Sequence, residues 1–302
     1  MLRSTESIAR PLETTLSSND LPMLLVVLIW GANFSVIKVA LADIPPLAFV
    51  ALRFAIAGTV LGFILWRREG TLLPPRRSWL RLILLGVIGN TLYQVLFVLS
   101  LAYTTAANSS LLIAATPALV ALFGAAFGIE RLTRAIAGGV VLAIAGVALV
   151  VVARGVELSS ATFLGDMLAL VAALCWAFYT LGVRTLSGGM SPLAITTLTT
   201  IIGLPGLLLV GGTELVQVAW GEIGLVSWSG IAYSSLLAIV LAYLLWNTSV
   251  RNVGSNRTAI FGCAIPLVAT LVAWPVLGEQ PVLLQGIGAL LIVGGVLLTR
   301  RS

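Results

Sequence analysis

The sequence predicts an all-α polytopic integral membrane protein, in which ten transmembrane helices form two inverted five-helix repeats. Three observations support this fold class. Of the 302 residues, 59% are hydrophobic and 9% are charged, whereas soluble globular proteins carry about 25% charged residues. The apolar residues fall into ten runs that approach the length of a membrane span. A near-constant offset relates motifs in the first half of the chain to motifs in the second half.

The composition excludes a water-soluble enzyme, because so few polar side chains cannot cover a soluble body of this size. Histidine, the commonest general base, is absent, and the two cysteines, Cys175 and Cys263, lie within apolar runs. We therefore predict no enzyme activity, no catalytic residue, no bound metal and no cofactor. The net charge of +6 comes from arginines between apolar runs, so it indicates membrane topology rather than nucleic-acid binding.

The ten runs are taken as helices because a hydrocarbon core of about 30 Å requires about 20 apolar helical residues. Only four residues separate some neighbouring runs, which makes those helices antiparallel. The predicted helices are Leu21–Leu41, Pro46–Trp66, Leu82–Ala102, Ala106–Gly128, Ala135–Val152, Phe163–Val183, Pro192–Val210, Leu225–Trp246, Thr258–Leu277 and Val282–Leu298.

The helices divide the chain into a tail, two repeats and a linker. Residues 1–20 are polar and lack the apolar stretch of a signal peptide, so they predict a cytoplasmic N-terminal tail. The first repeat is expected over residues 21–152, the linker over 153–162 and the second, inverted repeat over 163–302.

The distribution of basic residues predicts that both termini are cytoplasmic. In this orientation fourteen Lys and Arg residues face the cytoplasm, only Lys38 and Arg154 face the other side, and Arg53 lies within the second helix. The expected location is a bacterial inner membrane, where lipid surrounds the protein.

Matching motifs indicate that the chain arose by duplication. An offset of 146 places Trp30 on Trp176, and an offset of 149 places Pro117 on Pro266. Because five is an odd number of helices, the second copy must enter the membrane in the opposite orientation. Inverted repeats of this kind are typical of transporters whose halves exchange conformations.

Several short motifs identify a family resemblance. The second half carries Arg251-Asn252-Val253-Gly254-Ser255-Asn256-Arg257, Pro266 and Gly278-Glu279. The first half carries Trp30-Gly31-Ala32-Asn33-Phe34, Tyr103-Thr104-Thr105-Ala106-Ala107-Asn108, Pro117 and Glu130-Arg131-Leu132. Together they resemble the EamA domain of the drug/metabolite transporter superfamily, from about residue 21 to residue 300. The resemblance implies a ten-helix transporter of small metabolites, often an exporter of amino acids or related compounds.

Arg53 is the one basic residue expected deep in the membrane. It lies about seven residues, or about 10 Å, into the second helix. A charge at this depth costs at least about 2.5 kcal/mol on insertion scales, so Arg53 is a candidate functional residue. It could bind a substrate carboxylate, exclude cations, or extend to helix-end carbonyls as a snorkelling side chain.

Aromatic and amide side chains within the helices are the other candidates for substrate binding. Ring faces attract an ammonium group, and amides need hydrogen-bond partners where water is absent. Ordinary helix packing and interfacial aromatic belts are the alternatives. With Arg53, the predicted substrate-binding set is Trp30, Asn33, Phe34, Asn90, Tyr93, Gln94, Asn108, Trp176, Tyr179, Tyr243, Trp246 and Asn247.

Proline and glycine mark positions of bending and close packing. Pro117 and Pro266 are predicted as gating hinges or static kinks, because proline removes a backbone hydrogen bond. The small residues of helices five and ten suit close packing, either as a scaffold or as the seam of a homodimer. These residues are Gly138, Gly139, Gly146, Gly286, Gly288, Gly294 and Gly295.

The sequence predicts no Asp, Glu or His near the middle of the membrane, which argues against a buried residue that carries protons. Glu130 and Glu279 are expected to stabilise the N-termini of helices five and ten, which follow them. No Walker A motif is present to hold a nucleotide phosphate. The residues predicted at membrane interfaces are Asp20, Asp43, Asp166, Glu130, Glu222 and Glu279.

These observations predict a secondary transporter that binds a small-molecule substrate and works by alternating access. The expected substrates are small neutral or zwitterionic metabolites such as amino acids, including aromatic ones, which leave by export or facilitated flux. An exporter of hydrophobic drugs or organic cations is the alternative. A membrane scaffold or receptor that transports nothing is the hypothesis from a different class.

Overall fold

The computed structural model describes residues 20–70, 73–74, 76–128, 133–153 and 161–299, and these ranges contain helices and no strands. Residues 1–19, Glu130, Arg154 and residues 155–160 of the predicted linker lie outside them. Ten helical segments are found in the described ranges: α1 (Asp20–Ala40), α2 (Pro46–Glu69), α3 (Arg76–Tyr103), α4 (Ala106–Ala126), α5 (Arg134–Val152), α6 (Ala161–Leu186), α7 (Pro192–Gln217), α8 (Leu225–Val253), α9 (Ser255–Leu277) and α10 (Leu283–Thr299).

Eight of these segments are long and apolar enough to cross a membrane. The other two, α5 and α10, contain shorter apolar stretches, Ala137–Val150 and Leu283–Gly295. The predicted fold class is therefore confirmed.

Local sequence signals set the ends of several helices. Pro46 and Pro192 begin α2 and α7. Proline is favoured there because the first N–H of a helix has no partner within the helix, so its absence costs no hydrogen bond. Ser191 caps α7, because its Oγ accepts a hydrogen bond from the backbone N–H of Ala194 at 2.9 Å. Gly70 ends α2 with a φ of 70°, a left-handed conformation that favours glycine.

Loop contacts define two faces of the bundle. The first, here called the Asp43 face, brings together the loops after α1, α3, α7 and α9. Asp43 Oδ2 accepts a hydrogen bond from Ser227 Oγ at 2.6 Å, at the start of α8. Glu214 Oε2 accepts from two backbone N–H groups at the start of α2, at 2.8 and 3.0 Å. The opposite face is here called the Arg67 face, after the arginine in the last turn of α2. There Ser191 of the α6–α7 loop donates a hydrogen bond to the carboxylate of Glu69 at the end of α2.

The first helices of the two repeats run in opposite directions. Lys38, in the last turn of α1, donates a hydrogen bond to the backbone oxygen of Thr104. The hydroxyl of Thr104 donates to Oδ1 of Asp166, near the start of α6, at 2.7 Å. The end of α1 and the start of α6 therefore lie on the same face, as inverted repeats require.

The two repeats also share an irregular third helix. A π-helical segment, Gly86–Leu92, interrupts α3, and another, Tyr233–Leu241, interrupts α8. The offset of 149 places the first segment on residues 235–241, within the second. Both segments end two residues before a predicted substrate-binding residue, Gln94 in α3 and Tyr243 in α8. Such wide helical turns are frequent at functional sites.

The fourth helix of each repeat is broken at equivalent positions. Residues 114–115 separate the two helical parts of α4, and a 3-10 turn at Gly262–Ala264 interrupts α9. Pro117 and Pro266 lie in the first turn of the helix that resumes after each break, where proline is tolerated. Both prolines thus mark backbone breaks, and their role as gating hinges stays a prediction.

Glycines let α5 and α10 pack backbone against backbone. A Cβ atom on Gly146 would lie 2.6 Å from the carbonyl oxygen of Gly288. A Cβ atom on Gly295 would lie 2.7 Å from the backbone nitrogen of Ala143. Gly146, Gly288 and Gly295 are therefore used in packing within one chain, and the predicted homodimer remains a prediction.

Glu279 stabilises a helix other than the one predicted. Its two carboxylate oxygens accept hydrogen bonds from the backbone N–H groups of Ala106 and Ala107, at 2.9 and 3.0 Å, at the start of α4. The turn before α10 is closed instead by Gln285, whose Oε1 accepts from the N–H of Val282 at 3.0 Å. The expectation that Glu279 supports the tenth helix is therefore wrong, because unpaired N–H groups of α4 attract the carboxylate across the repeats.

We expect Glu279→Gln to lower the free energy of unfolding by about 1 kcal/mol, because glutamine keeps one acceptor but loses the negative charge. The midpoint of thermal unfolding of the purified protein in detergent measures this change. Glu222→Gln is the matched control, since Glu222 is exposed in the α7–α8 loop and its substitution should leave the midpoint unchanged. Equal midpoints for the two variants would contradict the capping role.

Candidate substrate-binding cavity

A central cavity of about 60 Å³ lies between the two repeats. This space holds only a few water molecules, so the described conformation leaves little free room between the repeats. The walls come from α1, α2, α3 and α4 of the first repeat and from α6, α8 and α9 of the second. Nine of the thirteen predicted substrate-binding residues line the cavity: Trp30, Asn33, Phe34, Arg53, Tyr93, Gln94, Trp176, Tyr243 and Trp246.

Trp30 is the centre of an aromatic cluster in this cavity. Its ring centroid lies 5.5 Å from that of Trp176 and 5.8 Å from that of Tyr243, both edge to face. The ring of Trp246 lies 5.1 Å away. The indole N–H of Trp30 donates to the backbone oxygen of Ala238 at 2.8 Å, which holds the ring in place. Trp30 and Trp176 are equivalent residues of the two repeats, so the two copies of the motif are in contact at the cavity.

A second group of rings extends this aromatic wall through α3. Tyr93 stacks on Phe97 at 5.7 Å between ring centroids and lies 5.0 Å from Trp176. Phe97 also meets Phe34 of α1 edge to face at 5.3 Å. The rings therefore form one continuous surface from α1 through α3 to α6.

Arg53 is buried beside these rings, with an exposed fraction of 1%. One guanidinium nitrogen donates to Ser234 Oγ at 2.6 Å, and a second donates to Oε1 of Gln94. The guanidinium carbon lies 5.5 Å from the ring centroid of Phe49 and 5.9 Å from that of Phe97. The described residues place no carboxylate within 4.0 Å of its nitrogens, and Nε has no hydrogen-bond partner.

The polar contacts of Arg53 argue against the snorkelling alternative, while its role in binding a substrate carboxylate stays a prediction. A snorkelling side chain would reach helix-end carbonyls, but Arg53 donates to the side chains of Ser234 and Gln94. Gln94 in turn donates from Nε2 to the hydroxyl of Tyr243 at 2.6 Å. These bonds join α2 and α3 of the first repeat to α8 of the second, so the network crosses the boundary between the repeats.

Tyr179 and Asn247 lie behind the cavity wall. The ring of Tyr179 stacks on Trp176 with centroids 4.9 Å apart. Asn247 donates to the hydroxyl of Tyr179 at 3.0 Å and to Thr196 Oγ1 at 2.7 Å. The two side chains connect α6, α7 and α8. Tyr179 packs against the ring of Trp176, which lines the cavity.

Asn90 and Asn108 are also outside the cavity wall. Asn90 is fully buried beside α7, where a Cβ atom on Gly203 would lie 2.7 Å from the Asn90 Cβ. Asn108 donates to both carboxylate oxygens of Asp166 at 3.1 Å and accepts from Gln285 at 2.5 Å. Neighbouring helices thus hold the amide of Asn108, whereas the amide of Asn90 is buried without a hydrogen-bond partner among the described residues. The role of both residues in substrate binding stays a prediction.

Two acidic side chains near helix ends make contacts that the sequence analysis did not predict. Asp166 is 2% exposed, in the second turn of α6, where Thr104 and Asn108 hold it. Glu214, which the sequence analysis did not consider, lies in the last turn of α7 and caps α2. Both residues remain near helix ends, so neither lies at the level of Trp30 in the middle of α1.

Phe97 and Ser234 contact Arg53 but are not in the predicted substrate-binding set, although the helical spacing of Phe97 places it near the face of Tyr93 and Gln94. The duplication contains a signal for Phe97, because the offset of 149 places it on Trp246 and places Gln94 on Tyr243. Ser234 carries no comparable signal, since its neighbour in the sequence, Ser235, is equally polar. Ser234 lies in the π-helical segment of α8, and its hydroxyl accepts a hydrogen bond from the guanidinium group there.

A ten-helix bundle with a cavity between two inverted repeats is the architecture of a multi-pass membrane transporter. The model of the EamA-like transporter family matches residues 18–152 and again residues 163–301. The chain therefore belongs to the EamA-like transporter family, and the sequence resemblance is confirmed.

Curated relatives cover almost the whole chain. An uncharacterized transporter of Archaeoglobus fulgidus is 33% identical over 290 residues, which are 94% of this chain and 97% of that protein. The uncharacterized transporter YyaM of Bacillus subtilis is 31% identical over 271 residues, 88% of each chain. A protein of Escherichia coli named "Probable amino-acid metabolite efflux pump" is 29% identical over 284 residues, 90% of this chain and 91% of that one.

Proposed function

We propose that the protein exports small zwitterionic metabolites, with amino acids as the leading class, by alternating access. Arg53 carries this proposal, because it is a buried cation in the central cavity with no carboxylate partner among the described residues. A buried charge is costly unless a counter-charge compensates it. A substrate carboxylate would supply that charge, and the free Nε of Arg53 offers it a donor.

The opposite end of a zwitterion also finds suitable chemistry in the cavity. The ring faces around Trp30 attract an ammonium group, and Asn33 Oδ1 is buried without a hydrogen-bond partner. The aromatic wall suits an apolar or aromatic side chain between the two charged groups. The name of the Escherichia coli relative, a probable amino-acid metabolite efflux pump, supports the same substrate class.

Arg53 also weighs against the alternative substrates. An organic cation in the cavity would meet a buried positive charge at low dielectric, where like charges repel strongly. A membrane scaffold without transport would have no need for a buried cation that lacks a counter-charge. We therefore favour the zwitterion over the hydrophobic cation and the transporter over the scaffold.

The two repeats supply the movement that transport requires. The central cavity has room for only a few water molecules, and we expect the repeats to separate when an amino acid enters. The hydrogen bonds of Arg53 with Ser234 and of Gln94 with Tyr243 cross between the repeats and would break during that movement. We place the Arg67 face, with its many arginines, in the cytoplasm of a bacterial cell.

Flux in liposomes that contain only this protein tests the proposal. We expect labelled amino acids, including aromatic ones, to exchange across the membrane, and lipophilic cations to exchange slowly or not at all. Protein-free liposomes and liposomes with an unrelated membrane protein serve as controls. Flux of the cations alone would favour the alternative substrate class, and absence of flux across the whole panel would favour the scaffold.

Amino-acid flux is expected to continue without an imposed pH gradient. The described residues that line the cavity include no carboxylate or histidine that could carry a proton through the membrane centre. Initial rates of exchange, measured with equal and with unequal pH on the two sides, compare the two conditions. Strict dependence on the gradient would show that a proton is carried, and it would direct attention to Asp166 as the most enclosed acid on the Asp43 face.

A further inference from the structure

A second and larger cavity opens on the side of the bundle. This lateral groove lies between α4, α9 and α10 and has a volume of about 530 Å³, against about 60 Å³ for the central cavity. Its walls are almost entirely apolar, with Ile260, Leu267, Leu290 and Leu297 among the lining residues. The amide of Gln285 reaches the wall but is already bonded to Asn108 and to the N–H of Val282.

The groove opens towards the lipid. Leu267, Leu290 and Leu297 on its rim are exposed by 65%, 74% and 48%. At bilayer depth these side chains face hydrocarbon rather than water. Water inside the groove would need two to four polar partners, which this wall does not offer. Hydrocarbon is therefore the medium that fills the groove.

The groove is elongated along α10. Its lining residues on this helix run from Gln285 to Leu297, about 18 Å at the helical rise and most of the length of α10. The groove therefore crosses the middle of the hydrocarbon core, which is about 30 Å thick. An extended chain matches this shape better than a compact solute does.

We propose that the lateral groove binds an acyl chain of a bilayer phospholipid. The chain would lie against Ala264 and Pro266 at the break of α9 and against Ala114 at the break of α4. Ala114 also lines the central cavity, so one residue separates the lipid chain from the proposed substrate site. The proposal depends on the shape and chemistry of the groove and does not rest on the proposed function.

Photochemical labelling of the full chain in liposomes tests this site. The probe is a phospholipid with a photoactivatable group midway along one acyl chain, and the labelled peptides are identified by mass spectrometry. We expect labelling of residues 260–270 and 285–297 to exceed that of the exposed surface of α7 around Leu209, which is 84% exposed and lies outside the groove. Equal labelling of the two surfaces would overturn the proposal.

Gly286→Leu provides the decisive variant. Gly286 lines the groove, and nothing lies within 4 Å of the position of its Cβ, so leucine fills the space without displacing the backbone. We expect labelling of the groove to fall to the level of the α7 surface. Gly212→Leu is the matched control, because its Cβ position is equally free and it lies outside the groove.

A second copy of the chain is the competing occupant, and the same samples distinguish it. Chemical cross-linking in liposomes would then trap a dimer in the parent protein and the Gly212→Leu variant but not in Gly286→Leu, with weak lipid labelling of the groove throughout. That pattern, or strong labelling that Gly286→Leu leaves unchanged, would overturn the acyl-chain site. Elution of each variant as one sharp species on size-exclusion chromatography verifies folding, and no step requires transport activity.

Discussion

Arg53→Gln is expected to lower amino-acid flux about ten- to a hundredfold. A hydrogen bond to a charged group contributes about 1.5–3 kcal/mol, and about 1.4 kcal/mol corresponds to a factor of ten. Glutamine is polar but shorter than arginine and uncharged, so it leaves a substrate carboxylate without a counter-charge. Initial rates in liposomes over a range of substrate concentrations measure the effect.

Two further arginine variants isolate the contribution of charge and geometry. Arg67→Gln removes a charge at the exposed end of α2 and should leave the flux unchanged. Arg53→Lys keeps the charge but loses the planar fork that binds a carboxylate with two hydrogen bonds, so its flux should fall between the parent and Arg53→Gln. Full flux in a well-folded Arg53→Gln protein would show that Arg53 does not bind the substrate.

Gly295→Leu is expected to destabilise the protein by about 3 kcal/mol or more, because its side chain would have to displace backbone rather than flexible side chains. The added Cβ would lie 2.7 Å from the nitrogen of Ala143, and closer still to the carbonyl oxygen of Gly139. The yield of the folded species on size-exclusion chromatography and the midpoint of thermal unfolding measure the loss.

The neighbouring glycine is the control for this substitution. The Cβ position of Gly294 is 3.6 Å from the nearest atom, in Leu142, which is an ordinary contact. Gly294→Leu should therefore fold with nearly the parent midpoint. If Gly295→Leu were as stable as Gly294→Leu, the close approach of α5 and α10 would be wrong.

The site was partly predictable because lipid limits the options of polar side chains. An arginine or amide in an apolar run must find a partner within the protein or line a cavity, and this rule found Arg53 and Gln94. The same rule cannot separate the two outcomes. Asn108 carries the same signal as Gln94, yet Asp166 and Gln285 hold Asn108 outside the cavity.

Contacts between distant segments were beyond the reach of sequence reasoning. Glu279 precedes α10 in the chain, so its neighbours in sequence suggested a role there, but its carboxylate caps α4. The internal repeat could have extended the prediction to Phe97, through its equivalence with Trp246. No pattern indicated that Ser234 would bind Arg53.

The sequence by itself determined the membrane environment, the ten helices, their duplication and their inversion. These properties follow from hydropathy, from the length of the apolar runs, from the matching motifs and from the odd number of helices in each repeat. All of these can be read directly from the sequence. The tertiary structure alone decided how each helix is rotated about its axis. That rotation depends on packing against helices far away in sequence, and it determines which rings meet around Trp30 and which amides face a neighbouring helix instead.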